Sequence, residues 1–332
     1  MRSTGSKTLR LPIPCTLLRL AFVAIFAALS SSGASSQSGR TVRVVVPVPP
    51  GGAGDILARN LAAQIGKTES ASVVIENRPG AGTVIGTETV ARAAPDGNTL
   101  LLNAPYILIN AQLRKVNYDP LTSFEPICYL VSSPGVFVVN SASSYRTLND
   151  LIDAARAKPG ELTLASVGPG TAQHIGIEML KRAANVNLTY VPYAGGAPAI
   201  NDLLGGHVTA VFAEYAPLAG NLKAGTLRAI ATSARERIEQ LPNLPTVAES
   251  GYHDYEVDLW WGLFAPARTP KETLSQLTRL FTDALWAPEV KAKLAAEGFS
   301  PVGTCGADFG TLLRKQYDEY GRVIREANIK VD

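Results

Sequence analysis

The sequence predicts an α/β protein of two lobes, and three features predict it. Short apolar, β-branched runs alternate with amphipathic stretches, the pattern of βαβ units around a largely parallel sheet. The pattern GGAxxI occurs twice, at 51–56 and 195–200, each time shortly after a Val-Pro and where a strand pattern meets a helical one. The tail carries three helical patterns with too little apolar sheet for a domain of its own, so it folds back onto the N-terminal half. A chain of 332 residues is long enough for two domains.

Taken in order, residues 1–34 read as a secretory signal peptide. Arg2, Lys7, Arg10 and Arg19 are their only charges, residues 20–29 are apolar, and Ser30, Ser31, Ser32, Gly33 and Ala34 form a small-residue cleavage region. The apolar run is shorter than the roughly 20 residues that span a bilayer. Export and cleavage near Ala34 are expected, giving a periplasmic protein. Loss of these four basic residues takes the formal charge from +3 to −1, which leaves no basic surface for nucleic acid.

Strand patterns follow at 42–46, 73–75, 100–102, 127–131, 136–139, 162–165, 188–191, 208–212 and 227–231. Ile56, Leu57, Leu61 and Ile65 repeat at helical spacing after the first glycine turn. Ile175, Met179, Leu180 and Ala183 repeat so after Gly170, and Ile200, Leu203 and Leu204 after the second turn. In the tail, Thr269-Pro270-Lys271-Glu272 reads as a capping box with proline at the first helical position. Pro288 opens a further helix that Gly298 ends, and Phe309, Leu312, Leu313, Tyr320, Val323 and Ile324 mark the last. The layout is discontinuous: residues 41–128 with 263–332 form lobe 1, and 129–262 form lobe 2. The chain crosses near 126–133 and 257–266, and two crossings permit closure about a hinge. Ligands of open α/β sheets bind beyond the carboxyl ends of the strands, where the glycine turns lie.

The chemistry points to binding rather than turnover. A glycine turn that opens a helix aims unpaired N–H groups and a positive dipole end at an anion. Four such loops occur, at 49–55, 79–86, 166–171 and 193–198. The loop Ser166-Val167-Gly168-Pro169-Gly170-Thr171 offers backbone N–H groups and two hydroxyls as a cup for a carboxylate, or a hydroxyl that caps its helix. Leu164 stands where a GxSxG nucleophile elbow needs glycine, and Gly80-x-Gly82-x-x-x-Gly86 has the wrong spacing for a dinucleotide fingerprint. His174 and Glu178 share a helix face but have no evident third metal ligand. Asp55 serves either a ligand donor or water, or the first helical turn as a negative charge. Trp260-Trp261 lies at the second crossing, as core or as a cleft wall. Cys128 and Cys305 remain after export, and free, buried thiols are expected ahead of a bridge.

With these residues laid out, the chain resembles the Bug family, the periplasmic receptors of tripartite tricarboxylate transporters. The segments that carry the resemblance are VPVPPGGAGD at 46–55, ENRPGAG at 76–82, APDG at 94–97 and SVGPGT at 166–171 with His174. It continues in VPYAGGAPA at 191–199, LPTVAE at 244–249 and WWGLFAP at 260–266, nearly the whole mature chain.

The resemblance implies a two-lobed periplasmic binding protein fold of type II-like form with the ligand cleft between the lobes. It implies a carboxylate ligand, no cofactor, and membrane permease subunits as partners of a monomeric receptor. Carried onto this chain, the cleft is lined by Pro49, Gly51, Gly52, Ala53 and Asp55, and by Asn103 and Tyr106. Ser166, Gly168, Gly170, Thr171 and His174 follow, then Tyr193, Gly195, Gly196, Ala197 and Glu214. The chain departs from the family pattern in three places. Val48 replaces an aromatic, Ala194 replaces a lysine or arginine, and Ala213-Glu214 replaces an aspartate-containing pair. Neutral donors are therefore expected to hold the carboxylate. A sensing partner of a membrane kinase would share fold and ligand, and a secreted enzyme is the other class left open.

Overall fold

The computed structural model describes Gly5 and residues 41–330 other than 69, 70, 258 and 327. The expected signal peptide, 1–34, lies outside the described residues apart from Gly5. Among the described residues, no helix is long and apolar enough to cross a membrane.

Two mixed sheets organise the chain from residue 41 onward into a two-lobed α/β fold. The first has the order β11 (Ser300–Cys305), β4 (Phe124–Ser132), β10 (Trp260–Pro266), β3 (Thr99–Asn103), β1 (Thr41–Val46), β2 (Ser72–Asn77), and the second β7 (Thr189–Tyr193), β6 (Thr163–Val167), β8 (Ala210–Glu214), β5 (Gly135–Asn140), β9 (Leu227–Thr232). In the first, β1 (Thr41–Val46) pairs in parallel with β2 (Ser72–Asn77) and β3 (Thr99–Asn103), with β3 at the centre buried along its length. The helix Ala53–Thr68 connects β1 to β2 and buries Leu57, Leu61 and Ile65 at the spacing that predicts it. In the second sheet, β6 (Thr163–Val167), β7 (Thr189–Tyr193) and β8 (Ala210–Glu214) run parallel. Their crossover helices are Ala172–Ala184 and Gly196–Leu204.

The expected largely parallel sheet is corrected to mixed. The strands that carry the chain between the sheets run back against their neighbours. β4 (Phe124–Ser132) and β10 (Trp260–Pro266) pair antiparallel, and β10 also runs antiparallel to β3. In the second sheet β5 (Gly135–Asn140) lies antiparallel to both β8 and β9 (Leu227–Thr232). β10 and β11 (Ser300–Cys305) are absent from the strand patterns. Trp260-Trp261-Gly262 lacks a β-branched run, and Pro301 and Gly303 interrupt the other, which suits an edge strand paired irregularly with β4.

β11 also overturns the expectation of free thiols. Cys305 lies opposite Cys128 in the register of β11 and β4, and the two form a disulfide. The capping box at 269–272 is likewise corrected. Thr269 Oγ1 donates to Pro266 O at 2.7 Å, and Pro270 itself is the N-cap of the helix Lys271–Trp286.

Candidate functional site

The two glycine turns face each other. Val46 ends β1, and the chain turns through Val48, Pro49 and Pro50 into the helix at Ala53. Gly51 takes φ +81, a conformation that favours glycine, and its N–H donates to Asp55 Oδ2 at 3.0 Å. Across from it, Tyr193 ends β7 and Gly195 is the extended N-cap of the helix that starts at Gly196. No side chain caps that helix. A Cβ added at Gly195 would sit 2.9 Å from Pro49 Cγ, so the second turn packs directly on the first.

Between them runs a cleft. Val48, Pro49, Pro50, Gly52 and Ala53 line it from the first turn, and Gly195, Gly196 and Ala197 from the second. Val167 adds the end of β6, and Tyr106, Gln173, Ala213, Glu214, Pro217 and Trp261 complete the lining. Two helix N-termini thus open onto one narrow space, and none of these lining residues is lysine or arginine.

Glu214 is the charge in this lining. It ends β8, is 5% exposed, and accepts from Trp261 Nε1 at 2.7 Å, Gln173 Nε2 at 3.2 Å and the Tyr106 hydroxyl at 3.4 Å. Burial pushes its carboxyl above the usual range, opposed by these donors. Tyr106 is held neutral, because burial and the nearby Glu214 charge raise its hydroxyl well above the ordinary tyrosine range. Trp261 also meets Tyr106 edge to face, with ring centroids 6.0 Å apart, and leaves no room for a side chain at Gly54.

Other expected residues serve their own loops. The Asp55 carboxylate binds the Gly51 amide and pairs with Arg59 at 2.9 Å. Burial opposes its charge, yet these bonds outweigh burial and hold its carboxyl below the usual range. Asn103 is buried, donates to Thr87 Oγ1 and accepts from the Ala104 amide. Ser166 Oγ donates to Val167 O, while Thr171 Oγ1 accepts from the His174 amide and donates to the turn carbonyls of Val167 and Gly168. Thr171 is therefore the helix cap. The Tyr193 hydroxyl donates to Asp202 at 2.5 Å.

His174 stacks on Tyr190 at 4.6 Å, and burial lowers its pKa, so it is neutral at pH 7. Glu178 pairs with Lys181 at 2.9 Å. Gly168 and Gly170 lie outside the cleft lining. Gly168 approaches Tyr193 O, and Gly170, at φ +87, sits against Asn110. Asn110 Nδ2 donates to Gly170 O at 3.0 Å and to Gly82 O at 2.8 Å. One turn further on, Arg114 donates to Pro169 O at 3.1 Å. These two side chains join the 81–83 turn to the 166–171 loop beside the cleft.

Sequence reasoning did not single out Gln173. The signal that could find it is its place one residue before His174, in the first turn of a helix that opens at the cleft.

A profile described as "Tripartite tricarboxylate transporter family receptor" matches residues 57–329. Protein BugT of Bordetella pertussis is 31% identical, over 93% of this chain and 96% of its own. An R. palustris protein solved with adipate superposes with a TM-score of 0.85 at 31% identity, covering 89% of this chain and 99% of its own. MatC of Rhodopseudomonas palustris, solved with bound malate, gives 0.80 at 29% identity, covering 86% and 99%.

Proposed function

We propose, on the premise that this chain belongs to the tripartite tricarboxylate transporter family of receptors, that it captures a small organic carboxylate in the cleft between its lobes. It then presents that ligand to membrane permease subunits. It acts as an exported, periplasmic monomer with one lobe built on each sheet, the chain crossing between them near 126–133 and 257–266. The ligands of two relatives support the class: one was solved with adipate, another with malate.

One observation carries the reading. The N-termini of the helices at Ala53 and Gly196 open onto the same cleft, whose lining includes no cationic side chain. Backbone N–H groups and helix dipoles hold an anion without a formal charge. Each N–H bond to a carboxylate contributes about 1.5–3 kcal/mol. A few of them meet the roughly 8 kcal/mol of micromolar affinity after the costs of closure and desolvation.

The test takes an acid identified by thermal shift, converts its carboxylate to the primary amide and compares the two by calorimetry. The amide loses most of the binding. Raising salt to about 0.5 M weakens the acid only mildly, because a closed cleft is poorly screened. An amide that binds as well as its acid overturns the anion site.

A further inference from the structure

Gln173 carries an unsatisfied polar atom at the cleft. It is 1% exposed and lines the cleft beside Glu214. Its Nε2 donates to Glu214 Oε1, while its Oε1 is buried without a hydrogen-bond partner. The amide orientation follows from its neighbours. Glu214 already draws the Trp261 indole N–H and the Tyr106 hydroxyl, so it sits among donors as an acceptor-only carboxylate. Turning the amide over would set two acceptor oxygens against each other. The carbonyl of Gln173 is thus left over, and a buried acceptor left unpaired costs roughly 1–3 kcal/mol.

The cleft is therefore polar in two senses. The turns at Gly52–Ala53 and Gly196–Ala197 bring the first amides of two helices to the cleft, whereas Gln173 Oε1 and the Glu214 carboxylate are acceptors on residues that line it. We infer that the ligand is a carboxylate that also carries a hydrogen-bond donor, a hydroxyl or an ammonium group, and that Gln173 Oε1 with Glu214 receives it. This rests on the carboxylate reading and narrows it, since an unsubstituted diacid leaves the Gln173 carbonyl unpaired. A site built to receive a donor discriminates strongly against the analogue that lacks one.

The test compares matched acids by calorimetry on the mature chain: propionate, lactate and alanine; succinate, malate and aspartate; glutarate, 2-hydroxyglutarate and glutamate. In the series that binds, the hydroxy or the amino acid binds at least about tenfold tighter than the plain acid, and the arms tell hydroxyl from ammonium. Gln173→Met keeps the bulk and removes the acceptor. It reduces that preference toward unity by weakening the substituted acid while the plain acid holds. The wild-type panel stands by itself where the variant fails to fold. A plain acid equal to its substituted partners overturns this inference and leaves the carboxylate reading intact. Absence of binding by every acid overturns both.

Discussion

The Trp261 indole N–H donates to Glu214 Oε2 at 2.7 Å, and the two residues belong to different sheets. Trp261 lies on β10, one of the strands that carry the chain between the sheets, and Glu214 ends β8 at the cleft. A carboxylate in such a place has a double effect. It ties the sheets together through a charge-assisted bond. It also stores the cost of a buried charge, which Tyr106 and Gln173 reduce but do not remove.

That cost predicts a pH dependence of stability. Burial raises the Glu214 carboxyl above its ordinary value of about 4.3. Between that value and the raised one, the folded chain holds more protons than the unfolded chain, so stability falls as pH rises, and the penalty is complete above the folded pKa. Glu214→Gln removes this contribution. From about pH 5 to about pH 8 its melting temperature should fall less than that of the parent chain. Parallel melting curves across that range would show that Glu214 titrates as it does unfolded.

The disulfide should matter for stability and not for binding. It links β4 to the edge strand β11 across 177 residues of sequence, and neither cysteine lines the cleft. The double variant Cys128→Ala/Cys305→Ala should lose about 2–4 kcal/mol in denaturant unfolding. Carboxylate affinity by calorimetry should stay within about twofold. A large loss of affinity in a folded double variant would show that the edge strand shapes the cleft.

The bridge also marks where sequence reading runs out. β1 and β3 are legible because Val42–Val46 and Leu100–Leu102 are continuous apolar runs. β10 is not, because its signal is aromatic and small rather than β-branched, and its partners β3 and β4 lie more than 120 residues earlier in the chain. Cys128 and Cys305 meet only once β11 joins that sheet. In the site, the glycine turns announce themselves, since few side chains suit Gly51 and a helix follows at once. Hydroxyls do not. Ser166 and Thr171 could have faced a ligand, and the structure engages both with their own loop. Gln173 is unmarked because its unpaired oxygen arises from Glu214, 41 residues away.

The glycines of the two turns should separate by mechanism. Gly51 needs its positive φ, so Gly51→Ala should destabilise the fold by roughly 1–2 kcal/mol. Gly196 carries no such constraint. A Cβ there lies 3.9 Å from Pro217 Cγ, which itself lines the cleft. Gly196→Ala should keep the melting temperature while its methyl group occupies ligand space and lowers affinity. Thermal melts paired with calorimetry check both. Equal affinity in Gly196→Ala would place the ligand away from the second turn.

The lobes should close on the ligand, and Asn110 should set how firmly. Its Nδ2 donates to Gly82 O, on the side of the first sheet, and to Gly170 O, which follows β6 of the second. Opening would break the Gly170 bond and spare the Gly82 bond. Asn110 is not among the residues that line the cleft, and its third bond, to Tyr106 O at 2.9 Å, stays within its own helix when the lobes part, so the bond that opening removes is the one to Gly170. One neutral hydrogen bond contributes about 0.5–1.5 kcal/mol. Asn110→Ala should therefore weaken binding about two- to tenfold, through faster release and with the order of ligand preference unchanged. Small-angle scattering supplies the direct measurement. The radius of gyration of the parent chain should shrink when a bound acid saturates it, since a hinge changes overall dimensions while each lobe stays rigid. Identical scattering with and without ligand would sink the hinge, and with it the assignment of Asn110 as its latch.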